Sequence, residues 1–312
     1  MIKVVPANGD YAQPAAPGWR NTDWATHERD AIVAGRRLHY LDVGSGERCF
    51  VLVHGMGGRW QHWLETIPTL ASHGRVLTVD LPGFGRSEQS AAKPSLDGFA
   101  DAAGDLARQL GVRRVVLVGH SMGGLVAIRF AVRHPDLAEA IVPVAGAVYQ
   151  FSALLGLRNV LRFAAQRPSE TIAVAMEIAT AGLPAPAPLR RFVIRSRQLR
   201  KLFLSPYVLD PLSLPADAVQ IIVDGAGARG VLPTARAVGN SDPREGIDAV
   251  ACPVLSVAAD ADRIVPLPDT EAFQRDLPRA RTVVLQGCGH MLMLERPRVF
   301  NRSLIEFVEA LP

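Results

Sequence analysis

A serine hydroxyl is a weak nucleophile at neutral pH unless a base stands within hydrogen-bond reach. The run Gly119-His120-Ser121-Met122-Gly123 puts a serine where such help can be organised. It follows the apolar stretch Val115-Val116-Leu117-Val118 and precedes a helix-forming stretch. A side chain at the tip of so tight a strand-to-helix turn sits on strained backbone, and Gly119 and Gly123 remove the Cβ atoms that would clash there. The helix that starts after Ser121 turns its first N–H groups toward the site, which favours developing negative charge.

The base is expected near the end of the chain. His290 closes Gly287-Cys288-Gly289-His290, a glycine-punctuated loop directly after the run Thr282-Val283-Val284-Leu285. An imidazole in this role needs a carboxylate to fix its tautomer. Asp260 and Asp262 both follow the apolar run at 254–257, at the carboxyl end of a strand, where open α/β sheets place ligands. Asp262 is preferred; Asp260 is the alternative, or a neighbour that shapes the loop. The turn Ala145-Gly146-Ala147 after the preceding run holds no acid. The oxyanion of a tetrahedral intermediate needs N–H donors. The N–H of Met122 is one candidate, and that of Met56, in His54-Gly55-Met56-Gly57-Gly58, is the other. His54 reads as a structural tie to its turn, with a second base as the alternative. This chemistry is acyl transfer to water. It requires no metal or organic cofactor, and no ligand-spaced His/Cys cluster is present.

These residues need a scaffold of strands whose ends converge. Short β-rich runs at 26–33, 36–43, 49–53, 75–79, 114–118, 140–144, 254–257 and 282–285 alternate with helical patterns at 61–72, 96–110, 123–133, 269–277 and 297–311. The first two runs read as a hairpin joined at Ala34-Gly35. The rest imply βαβ crossovers and a mostly parallel sheet, an α/β fold. Residues 1–22, rich in Pro and Gly, read as an extended or poorly ordered N-terminal arm. Residues 23–146 and 236–312 make the core. Between them the alternation stops. Residues 147–235 read as an inserted helical cap, with helical pieces near 150–166, 169–181, 188–203 and 215–224.

Composition narrows the class. The 312 residues are 48% hydrophobic and 21% charged, with a formal net charge of +4, values of a globular chain rather than a disordered one. The mild basic excess does not point to nucleic acid. It is concentrated in 147–235, where nine arginines and Lys201 face five acids. That segment reads as a solvated helical face, a seat for an anionic substrate, or a dock for an acidic carrier protein bearing a thioester. Cys49, Cys252 and Cys288 have no CxxC spacing and read as reduced thiols of a cytoplasmic protein. The first residues lack the apolar run of a secretory signal. The uncharged stretch 140–157 is interrupted by Pro143, Gly146, Gln150 and Gly156, which argues against a membrane span.

Taken together, the Ser…Asp…His order, the HGMGG loop and GHSMGG resemble the α/β-hydrolase fold family. Asp80-Leu81-Pro82-Gly83-Phe84-Gly85-Arg86-Ser87 is similar to that family's turn after its fourth strand, 258–266 to its acid loop, and Gly289-His290 with Glu295 and Pro297 to its histidine loop. The resemblance covers about 26–146 and 236–312. It implies an eight-stranded sheet with an antiparallel second strand, a cap inserted after the sixth strand, and a triad of Ser121, Asp262 and His290. Relatives of this fold with a carboxylate nucleophile are disfavoured by the serine at 121. The meta-cleavage-product hydrolases carry HGSGPG where this chain has HGMGG, which weakens that reading.

The expected reaction is hydrolysis of a carboxylic ester, thioester or lactone of an apolar or ring-containing small molecule through an acyl-enzyme. Alternatives are a C–C bond hydrolase, a biosynthetic cyclase or lyase using the same triad, and a receptor-like binding protein on a hydrolase scaffold. Candidate pocket residues are Trp60, Trp63, Phe84, Phe151, Leu154, Leu155, Met176, Phe203 and Tyr207.

Overall fold

The structure, a computed structural model, describes residues 2–15, 17–89, 93–146, 165, 168–182 and 186–312. Among them nine strands form one sheet. In chain order they are β1 (Ile2–Val5), β2 (Glu28–Val33), β3 (Arg36–Val43), β4 (Arg48–Val53), β5 (Arg75–Val79), β6 (Arg114–His120), β7 (Ala138–Val144), β8 (Leu255–Ala259) and β9 (Arg281–Leu285). Across the sheet the order is β1-β9-β8-β7-β6-β4-β5-β3-β2. β3 runs antiparallel to both β2 and β5, and the other pairings are parallel. β2 through β9 are the eight strands expected, with the second of them antiparallel.

Apolar continuity explains the centre of the sheet. Phe50 to Val53 and Val115 to Val118 are all buried, as strands covered on both faces must be. Two helices supply much of one cover. α2 (Leu96–Gln109) begins at Ser95, whose hydroxyl accepts the Gly98 N–H at 2.9 Å, and buries Leu96, Phe99, Ala100, Ala103, Leu106 and Ala107 on one stripe. α3 (Met122–Arg133) runs directly from the tip of β6 and is buried along most of its length.

The N-terminal stretch is held in place rather than loose. β1 adds to the sheet edge in register with β9, Ile2 opposite Thr282 and Val5 opposite Leu285. Buried Arg296 then ties down the following residues: it donates to Asp10 Oδ1 at 2.7 Å, to the Pro6 carbonyl at 3.1 Å and to Asn8 at 3.2 Å. Trp19 donates its indole N–H to buried Glu65 at 2.8 Å.

Two expected helices are broken. The stretch 61–72 becomes a 3₁₀ turn (Trp60–Trp63) followed by the short α1 (Ile67–Ala71), which opens with Pro68, a residue favoured at helix starts and hostile to helix interiors. The stretch 188–203 becomes two helices, described next, because Ser196 is extended and caps the second through Leu199 N–H.

Between β7 and β8 the described helices are α4 (Pro168–Gly182), α5 (Ala187–Arg195), α6 (Arg197–Leu204), α7 (Ala216–Val223) and α8 (Val231–Gly239). α8 runs across the boundary expected at 235/236. The chain closes the core with α9 (Leu267–Asp276), α10 (Leu292–Glu295) and α11 (Pro297–Glu309). Among the described residues no helix is long and apolar enough to cross a membrane.

Candidate active site

Ser121 stands between β6 and α3 with φ 53° and ψ −120°. A non-glycine residue at positive φ is strained and persists only where its surroundings impose it. Here they do. Ser121 N–H donates to the Val144 carbonyl at 2.8 Å, and its own carbonyl accepts from Gly124 N–H at 2.8 Å. The expectation for the two glycines is met: a Cβ on Gly119 would collide with the Gly123 carbonyl, and one on Gly123 would press on the backbone of Val53 and His54.

On the opposite side of the turn lies the loop after β4. A Cβ on Gly55 would sit 2.9 Å from the Ser121 Cβ and 3.1 Å from His120 Nδ1. This close approach carries Met56 to the same cavity as Ser121. Met122 N–H belongs to the first turn of α3, whose donors have no intrahelical acceptor. Neither the Met56 nor the Met122 N–H is spent on another group among the described residues.

His54 holds that loop. Leu81 N–H donates to His54 Nε2 at 3.0 Å, so Nε2 is the acceptor and Nδ1 carries the proton, given to the Gly55 carbonyl at 2.7 Å. Burial lowers the pKa of this imidazole. With both nitrogens engaged, His54 is a strut. The turn behind it is anchored by Asp80, which accepts from Trp60 N–H and Arg86 N–H, each at 2.8 Å.

His290 Nδ1 meets Asp262 Oδ2 at 2.8 Å, and both side chains are buried. The other oxygen of Asp262 accepts from Ile264 N–H at 2.8 Å and Val265 N–H at 2.9 Å. These donors lock the carboxylate in the orientation that faces the ring. Asp260 instead accepts from Gly287 N–H at 2.8 Å and shapes the loop. The geometry therefore gives the histidine partner to Asp262.

Two further groups fasten the His290 loop. His120 Nε2 lies 2.9 Å from the His290 carbonyl, and the two rings are 4.7 Å apart. Burial keeps the His120 pKa well below its ordinary value; the neutral ring donates from Nε2. Glu295 accepts from Gly289 N–H at 2.9 Å, from Leu209 N–H at 2.7 Å and from the Tyr11 hydroxyl at 3.1 Å. It joins the histidine loop, the segment between β7 and β8 and the N-terminal stretch. Burial pushes its carboxyl up to about 7.

Ser121, His290, His120, Gly55 and Met56 open onto one cavity of about 370 Å³. Its other wall comes from between β7 and β8 and includes Ala181, Val193, Phe203, Leu204, Tyr207 and Ile222. Phe203 and Tyr207 thus lie where pocket residues were expected. Trp60, Trp63 and Phe84 do not. Trp60 packs on Trp24 (6.1 Å between rings), Trp63 on Phe300 (6.3 Å), and Phe84 between His54 (5.3 Å) and Phe99 (6.3 Å). All three are buried on the sheet, because rings this large repay burial most where several elements surround them. Met176 of α4 is not in the lining, and Phe151, Leu154 and Leu155 lie outside the described residues.

The wall also contains residues that the sequence patterns do not flag. His62 is 5% exposed, and among the described residues neither ring nitrogen has a hydrogen-bond partner. Burial lowers it to about 3, so it is neutral. Its place between Trp60 and Trp63, beside the glycine loop, is the signal that could have marked it, and Gln61 shares that place. Arg190 also lies in the wall; it is one of the nine arginines of the basic segment, not singled out by its own pattern. Among the described residues no group of three or more His, Cys, Asp or Glu is arranged to hold a metal.

Comparison with known proteins bears on the fold and the site together. The family model described as the alpha/beta hydrolase fold matches residues 49–297. The chain is 27% identical over 303 residues to a 2-hydroxy-6-oxononadienedioate/2-hydroxy-6-oxononatrienedioate hydrolase of Paraburkholderia phymatum, covering 92% of this chain and 97% of the relative. It is 26% identical over 285 residues to a pimeloyl-[acyl-carrier protein] methyl ester esterase of Yersinia pseudotuberculosis, covering 88% and 98%. The crystal structure of an E-2-(acetamidomethylene)succinate hydrolase superposes with a TM-score of 0.71 at 19% identity, covering 91% of this chain and 99% of that one. The match across the core, with the strand order and the turn at Ser121, means that this chain belongs to the alpha/beta hydrolase fold family.

Proposed function

We propose that the protein is a serine hydrolase that cleaves a carboxylic ester, or the equivalent thioester or lactone, of a largely apolar small molecule. The observation that carries this reading is the strained Ser121 sharing a cavity with a buried His290–Asp262 pair. In the proposed reaction, Ser121 Oγ attacks the carbonyl as its proton passes to His290. Asp262 holds the tautomer and stabilises the imidazolium. The N–H groups of Met56 and Met122 receive the oxyanion. His290 then protonates the leaving alcohol or thiol, and later takes a proton from the water that releases the acid. The helices between β7 and β8 act as the cap that closes an apolar wall over the acyl group.

The test is turnover of p-nitrophenyl esters by wild type and Ser121→Ala, together with the intact-mass shift left by a fluorophosphonate. We expect labelling of wild type alone and a fall in kcat of about 10⁶-fold in the variant. Equal turnover by both proteins would end the proposal.

A second reading has one observation in its favour, the similarity to a hydrolase named for an oxo-dienedioate. There Ser121 would attack a ketone and the leaving group would be carbon. Turnover of a 1,3-diketone panel faster than of esters would favour it. The acidic carrier protein considered for the basic segment draws support only from the name of the pimeloyl esterase.

A further inference from the structure

One fixed charge stands on the cavity wall. Among the described lining residues, Arg190 is the lone Arg, Lys, Asp or Glu; the remainder are apolar side chains, glycines, Ser121, Tyr207 and imidazoles. Arg190 belongs to α5, on the inserted side of the cavity.

Its partner does not satisfy it. Arg190 Nε lies 3.6 Å from Asp224 Oδ1. The other oxygen of Asp224 is already taken by Arg59 Nη2 at 2.8 Å. Two guanidiniums therefore share one carboxylate, and the cluster keeps a net charge of +1. The looser contact of the two is the one facing the cavity. Asp224 meets Arg190 at Nε, and among the described residues no hydrogen bond is made by its Nη groups, the planar fork that matches a carboxylate in two parallel hydrogen bonds. An anion on that fork would be opposed by Asp224, but Arg59 already balances that charge. Arg59 follows the glycine loop that approaches Ser121, so the cluster joins that loop to the wall contributed by α5 and α7.

The reacting end has a different character. Around Ser121 the lining offers backbone N–H groups and imidazoles, and no Arg or Lys. A molecule with both an ester and a free carboxylate would thus meet N–H donors and imidazoles at Ser121 and a guanidinium on the wall that α5 contributes.

We propose that the substrate carries a free carboxylate in addition to the bond that is cleaved, and that Arg190 seats it. This rests on Ser121 as the nucleophile. Arg190 is then a specificity residue: it contacts the substrate but not the reacting atoms.

The experiment compares kcat/KM for matched pairs of esters. One set is monomethyl esters of linear dicarboxylic acids, with the charge on the acyl side. The other is acetyl esters of hydroxy acids, with the charge on the alcohol side. Each is paired with the carboxamide that replaces its free carboxylate. Wild type should prefer the carboxylate in at least one set and chain length by about tenfold or more, the scale of a charge-assisted hydrogen bond. Arg190→Gln should abolish that preference, and Arg190→Lys should keep part of it, since a lysine retains the charge and loses the fork. Thermal melts of both variants report on folding. Calorimetry with Ser121→Ala reads the same preference as binding, without turnover. The proposal is overturned if wild type shows no preference in either set, or if Arg190→Gln leaves the preference intact. If no ester of either kind is turned over and Ser121 resists labelling, the nucleophile reading fails. A carboxylate preference in binding that depends on Arg190 would then still stand on its own.

Discussion

On the core side of the cavity, the acid and the histidine loop that serve Ser121 are held by their neighbours, while His62 stands without a hydrogen-bond partner among the described residues. Asp262 has three donors, His120 is fixed to the His290 carbonyl, and Gly289 is fixed to Glu295. On the side built by the helices between β7 and β8, Leu189 is 46% exposed, Phe203 is half-buried and Arg190 is paired at 3.6 Å. Among the described residues the ties of that wall to the core lie away from Ser121, among them Gly230 N–H to the Gly83 carbonyl at 3.1 Å, Leu209 N–H to Glu295 at 2.7 Å and Arg59 to Asp224 at 2.8 Å. The contrast separates two jobs. One wall fixes geometry to fractions of an ångström, as bond-making requires. The other can change its side chains without moving the first, and so it can set which molecule is accepted.

If that separation is real, damage to the core wall should appear in kcat. Asp262→Asn is the largest case. An asparagine oxygen can still accept from Ile264 and Val265, so the loop stays folded. Its NH₂ would face His290 Nδ1 and impose the wrong tautomer. We expect kcat for a p-nitrophenyl ester to drop about 10⁴-fold with little change in Tm. A drop under tenfold would remove the basis for the contrast. Gly55→Ala comes next. The added methyl, 2.9 Å from the Ser121 Cβ, must push the loop or the serine aside. A loss of about 10²-fold in kcat is expected, since displacements near 1 Å cost that much.

On the wall built by the helices between β7 and β8 the same measurements should read differently. Phe203→Ala should raise KM for long acyl esters by about tenfold, more than it lowers kcat, because it removes apolar contact and leaves the reacting groups alone. An effect on kcat alone would join the two walls into one. Glu295→Gln probes the seam and has the smallest effect. Its carboxyl titrates near 4.5 when free and about 7 when folded. Between those values the folded chain keeps a proton that the unfolded chain has lost, so the glutamate's contribution to stability falls as pH rises through that window. A glutamine does not titrate. The Tm of wild type relative to the variant should therefore be higher at pH 5 than at pH 8, and a constant gap would show that burial does not dominate this carboxyl.

Ser121, Asp262 and His290 were legible because each lies just past an apolar run, at the end of a strand, in a stretch punctuated by Gly or Pro. Such a strand fixes its own direction, and a short loop leaves little choice of place. Aromatic residues carry no such information. Trp60, Trp63 and Phe84 are beside the right loops, yet a residue's type does not say whether it faces the cavity or the sheet. Arg190 and Asp224 are far apart in sequence and meet only through the packing of α5 against the end of α7. β1 was hidden for a related reason: Ile2 to Val5 is too short to announce a strand, and its partner begins at Arg281.

The buried guanidinium of Arg296 gives the first dozen residues an influence out of proportion to their distance from the cavity. Were Pro6, Asn8 and Asp10 cut away, a cation beside the histidine loop would lose three of its four recorded acceptors in a place where water does not reach. A bulky tag or a proteolytic nick at that end would therefore be felt at His290, so the leader of an expression vector is a variable to control when activities of this enzyme are compared.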